Sequence, residues 1–108
     1  MRARLLLALL CLTLASVVTA SAPAQAGTYT PIAMTMTREA VPAAEAFFYD
    51  HNTYAGMTIA KLRGYDRGLS SVEVAQASKK GYCLQTNVLG SWAHYAGPNG
   101  GRVRAGRC

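Results

Sequence analysis

Acidic residues are scarce in this sequence: 5 Asp+Glu stand against 11 Lys+Arg in 108 residues, a formal net charge of +6. The five, Glu39, Glu45, Asp50, Asp66 and Glu73, are scattered, so no carboxylate pair suited to glycoside hydrolysis is written into the chain. Cysteine and histidine are also sparse, at 3 and 2, and none falls at a metal-ligand spacing. Asp50-His51-Asn52 offers only the opening of a calcium loop, without its third ligand or closing Glu. Ser70-Ser71 and Ser91 lack the context of a nucleophile elbow, and no glycine loop is shaped to cradle phosphate. There is no internal repeat and no long linker. The length holds one domain, which excludes large α/β enzymes, barrels and multi-domain assemblies. No metal and no cofactor is implied.

The apolar residues are unevenly spread. Residues 1–26 hold 18 of the 55, and the remaining 82 residues hold 37. Arg2 and Arg4 precede an apolar run from Leu5 to Leu14, extended by Val17 and Val18, and Ala24-Gln25-Ala26 ends it in an A-x-A pattern. These are the three parts of a secretory signal peptide, with cleavage expected between Ala26 and Gly27 and with Ala22 and Ala24 as rival sites. A membrane anchor would need about 20 consecutive apolar residues, and Thr13, Ser16 and Thr19 interrupt this run. No other stretch is apolar enough to span a bilayer, so the expected product is a protein without a membrane span, secreted, extracellular or periplasmic.

Cleavage changes the counts. Two arginines leave with the leader, giving 9 − 5 = +4, and one cysteine leaves, so Cys83 and Cys108 remain. An even pair in an exported chain reads as a disulfide. It would close a loop of about 25 residues and contribute roughly 3.5 kcal/mol by the chain-entropy relation. The remaining 82 residues contain only 11 Val, Ile and Leu, so a covalent tie matters to a core of that size.

Along the chain, Thr-rich residues 27–37 with Pro31 show no clear period and read as an extended arm. A helix is expected to start near Arg38 to Pro42, with proline tolerated in its first turn. Val41, Ala44 and Phe48 share one stripe, and Ala43, Phe47 and His51 the neighbouring one. Asn52 suits a left-handed terminator. Thr58 can cap a short helix through Leu62. The period then changes to two in Val72–Val74 and Tyr82–Val88, with Lys79-Lys80-Gly81 as a hairpin connection. Gly90-Ser91 turns the chain into Trp92–Ala96, and Pro98-Asn99-Gly100-Gly101 turns it into a last strand or tail over 102–108. The expected fold class is α+β: one main helix plus a short one on a three- to four-stranded antiparallel meander, with one disulfide.

The words in this order resemble a known family. Ala43-Ala44-Glu45-Ala46-Phe47-Phe48-Tyr49-Asp50-His51-Asn52-Thr53-Tyr54-Ala55-Gly56-Met57-Thr58, then Leu62, Gly81-Tyr82-Cys83-Leu84 and Ala96-Gly97-Pro98-Asn99-Gly100-Gly101, are similar to the globular heads of bacterial type IV pilins and pseudopilins. Cys108 sits where such heads close a C-terminal disulfide loop. The likeness covers about residues 40–108. Filament subunits of that family also carry a leader cut after glycine and an acidic residue at the head of a hydrophobic helix; neither is present, and Pro42 leaves about one and a half turns before Phe47. The resemblance therefore implies a pilin-head-like domain over 38–108 released without its stalk, acting as a monomer in binding or surface interaction rather than catalysis.

Two sets of residues remain as candidates for function. Lys79 and Lys80 at the hairpin, with Arg102, Arg104 and Arg107 in the tail, would form an anion-binding patch if the sheet brings hairpin and tail together. DNA, teichoic acid and anionic surface sugars are partners of the right charge, as is an unidentified protein. The alternative is a small secreted basic hydrolase of ribonuclease type, with His51 and His94 as acid and base, because histidine titrates near neutrality. The two readings differ in a distance: catalytic rings must face one cleft within about 5–8 Å.

Overall fold

The computed structural model describes residues 27–108; the expected leader and Ala26, on the far side of the cleavage site from Gly27, lie outside them. Helix α1 runs over Thr30–His51 and α2 over Ile59–Leu62. Strands β1 (Val72–Ala77), β2 (Tyr82–Val88), β3 (Ser91–Gly97) and β4 (Arg104–Ala105) follow and pair in that order in one antiparallel sheet. The fold is thus α+β, a helix on a four-stranded meander. Among the described residues no helix is long and apolar enough to cross a membrane.

Helix α1 corrects the expected extended arm over 27–37 and the start near Arg38. Pro31, not Pro42, occupies the first turn, and the helix continues through Pro42. About five turns therefore precede Phe47, where the sequence suggested one and a half. Pro42 costs a helix about 3 kcal/mol, because its missing N–H removes one bond and its ring crowds the preceding turn. Tertiary contact offsets this. Ala33, Thr37, Ala40, Ala44 and Phe47 recur every three or four residues and are all buried. The Thr37 hydroxyl lies 2.8 Å from the Ala33 carbonyl and 2.7 Å from the Thr86 hydroxyl. With one proton it donates to the carbonyl and accepts from Thr86, tying helix to β2. The Tyr29 amide donates to Ser91 Oγ at 3.1 Å and fixes the helix start to β3. At the other end, Asn52 is left-handed and its amide returns to the Phe48 carbonyl at 2.7 Å.

The sheet has two unlike faces. On the inner face Val72, Leu84, Thr86, Ala93 and Tyr95 meet α1 and form the core with Phe47, Leu62 and Val103. The outer face carries Glu73, Cys83, Gln85, Trp92, His94 and Arg104, by the alternation along each strand and its register. Leu89 and Gly90, with φ of 48° and 89°, make the tight β2–β3 turn, one residue earlier than the sequence suggested. Edge strand β1 is interrupted by a bulge between Val74 and Gln76. Gly97 is required by a close approach: a Cβ there would stand 2.2 Å from the Tyr82 ring.

Candidate functional site

On the outer face the chain supplies its own cover. Only Arg104 and Ala105 continue the sheet, opposite His94 and Ala93. Gly106, at φ 101°, then turns the tail across the face. Its amide donates to the Trp92 carbonyl at 2.9 Å. Its carbonyl accepts from His94 Nδ1 at 3.0 Å, which leaves the lone pair of a neutral ring on Nε2. The Arg107 guanidinium stands 4.4 Å from the centre of the Trp92 ring. The Cys108 amide donates to Gln85 Oε1 at 3.0 Å, and Gln85 Nε2 donates to Glu73. The tail ends in the Cys83–Cys108 disulfide expected from the cysteine count, with Cα atoms 6.0 Å apart. Beside the bridge lies an open cleft of about 440 Å³, bordered by Gln76, Ser78 and His94.

The five expected anion-binding residues are not brought into one patch. Lys79 and Lys80 lie in the β1–β2 connection, beside Phe48 and Asn52 in a cleft of about 300 Å³. Arg104 lies in β4, the edge strand on the far side of β3 from β2. Arg107 is beside Trp92, near the end of the sheet farthest from the lysine hairpin. Arg102 precedes β4 and meets α1: with Arg38, Val41, Pro42, Tyr95, Gly101 and Val103 it lines a third cleft of about 390 Å³. All five side chains are exposed, and none pairs with a carboxylate among the described residues. Arg38 was not recognised in the sequence, because only the packing of α1 against the β3–β4 connection sets it beside Arg102.

The two histidines do not converge either. His51 closes α1, where its Nδ1 donates to the Phe47 carbonyl at 2.9 Å and its ring stacks on Phe47 with centroids 4.0 Å apart. His94 lies on the outer face, with the whole sheet between it and the α1 side. The shared cleft that a histidine acid–base pair would need is not formed by these two rings.

One carboxylate is held closely. Glu45, half-buried on α1, accepts from the Tyr54 hydroxyl at 2.7 Å and from the Tyr82 hydroxyl at 2.6 Å. Burial, and then the bond to Glu45, push both phenols well above the usual tyrosine range. The rings of Phe48, Tyr54, Tyr82 and Tyr95 form a chain, with successive centroids 4.6, 4.7 and 6.1 Å apart. The two hydroxyls donate to one carboxylate, so the cluster fastens α1 to the α1–α2 loop and to β2. Asp50 is engaged similarly by the Tyr65 hydroxyl at 2.6 Å, and that bond raises the Tyr65 pKa. Among the described residues no group of three or more His, Cys, Asp or Glu could hold a metal ion.

No family model matches the chain, and no curated protein or solved structure is significantly similar to it.

Proposed function

We propose that the chain is exported by cleavage after Ala26 and works outside the cytoplasm as a pilin-head-like binding domain, without catalysis, on an anionic surface polymer. The observation that carries the reading is the set of unpaired cations. Lys79 and Lys80 at the β1–β2 connection and Arg102 and Arg104 at β4 are exposed, and no carboxylate among the described residues neutralises them. Their separation suits a long polyanion that crosses the sheet better than a small ion that would need them all at once. The helix followed by a meander with a C-terminal bridge supports the pilin-head resemblance. The +4 balance of residues 27–108 favours attraction to phosphate- or carboxylate-bearing polymers.

Retention of the exported protein on immobilised polyphosphate tests this. Retention should fall steeply between about 50 and 200 mM salt, as counterions are re-bound. Lys79→Ala plus Arg104→Ala should weaken retention at low salt and flatten its salt dependence. A double variant retained like the parent would remove the polymer reading.

A further inference from the structure

We infer that the cleft between α1 and the β3–β4 connection is a selective site for a single organic anion: a phosphate- or carboxylate-type head on a small apolar body. The inference rests on the reading of the protein as an anion binder and adds where one acidic group is recognised and what it must carry.

Two guanidinium side chains from distant parts of the sequence, Arg38 and Arg102, line this one cleft. An anion lying in the cleft would be attracted by both charges. None of the chain's own carboxylates takes that place: neither arginine has an ion-pair partner among the described residues. Glu39, the nearest acid in sequence, is the next residue along α1, and adjacent helical residues do not share a face. Guanidinium groups present paired donors that match the oxygens of carboxylate or phosphate. The rest of the cleft is of another character. Val41, Pro42, Val103 and Tyr95 supply its apolar lining. Tyr95 cannot offer its hydroxyl as a free donor, because that group already donates to the Pro98 carbonyl at 2.8 Å. The volume, about 390 Å³, lies in the range of small-ligand sites. A bare inorganic ion would use the arginines and leave the apolar walls wet. An acidic group with a ring or short alkyl body would use both.

The arrangement differs from the lysine hairpin, where Lys79 and Lys80 stand beside Phe48 and Asn52 at the β1–β2 connection. That difference separates a built subsite from general attraction by net charge.

Titration calorimetry of the exported protein at low salt, with phenyl phosphate, inorganic phosphate and phenol as probes, tests the inference. Phenyl phosphate should bind about tenfold more tightly than inorganic phosphate, from burial of roughly 50 Å² of apolar surface. Phenol should not bind measurably. Arg38→Ala and Arg102→Ala should each weaken phenyl phosphate by about tenfold. Arg102→Lys, which keeps the charge but loses the fork, should weaken it severalfold with an unchanged melting temperature. Lys79→Ala plus Lys80→Ala should leave it within about twofold, as expected for sites this far apart. Equal affinity for the two phosphates, equal loss in the lysine variant, or undiminished binding in Arg38→Ala plus Arg102→Ala would each overturn the site. Polyphosphate retention, measured in parallel, tells the two failures apart. Retention that survives while phenyl phosphate fails leaves the polymer reading standing and removes the subsite.

Discussion

The two faces of the sheet are covered by very different means. The inner face is covered by a helix of 22 residues, whose small buried side chains let it lie close and whose Phe47 joins one core with Leu84 and Leu62. The outer face is covered by three residues, Gly106 to Cys108, held by three hydrogen bonds to their backbone, one cation–π contact and a disulfide. One cover is broad, apolar and non-covalent; the other is narrow, polar and tied at its end. A small chain with few branched aliphatic residues can stabilise one face by burial, but it lacks the apolar material to do so twice.

Three variants break or sharpen this contrast. The largest loss is expected on the inner face, where Phe47→Ala should cost about 4 kcal/mol through lost burial and the cavity left behind, read as a lower urea midpoint. Replacing both bridge cysteines, Cys83→Ser with Cys108→Ser, should cost roughly 3.5 kcal/mol by loop entropy. In that variant amide exchange should accelerate first at Gly106 and Cys108, while Thr37 and Thr86 stay protected. Simultaneous loss of protection on both faces would show that the covers are not independent. The smallest of the three effects is expected from Glu45→Gln, which replaces a charged acceptor of two tyrosine hydroxyls by a neutral one and should cost about 1–2 kcal/mol.

Glu45 also gives a pH test. Tyr54 and Tyr82 are raised in the folded state, so each contributes stability that is fully present below the unfolded tyrosine pKa of about 10. Above about pH 10 the unfolded chain releases these protons and the folded chain keeps them, so stability must fall as pH rises. Denaturant midpoints between pH 9 and pH 12 should therefore decline, and less so when Tyr54→Phe and Tyr82→Phe remove the two phenols. A flat profile in the parent protein would contradict the burial of these hydroxyls against Glu45.

Much of this was legible from residue order. The second half of α1, its stop at Asn52, the short capped helix, the strands and the pairing of Cys83 with Cys108 follow from local chemistry and counting. The first half of α1 was not legible. Met and Thr alternate over residues 34–37 with no helical period, and Pro42 mimics a start; the face that makes residues 30–41 helical is defined by Thr86 and Ser91, 49 and 62 residues away in sequence from their partners. The anion candidates failed as a group for a related reason. Charge and proximity in sequence cannot say that Lys79 and Lys80 lie at the β1–β2 connection while Arg104 lies in the edge strand β4, nor that Arg102 lines one cleft with Arg38. Both are facts of strand order.

Pro42 divides α1 into halves with unlike histories. Beyond it, Ala43–His51 closes against the chain that immediately follows, through Tyr54, and such short loops form early. Before it, residues 30–41 have nothing to dock on until the β2–β3 hairpin exists, because their anchors are Thr86 and Ser91. The first half of the helix is thus tied to the fold only by contacts distant in sequence, whose loop-closure cost is the larger one, although it is the first of the described elements in the chain.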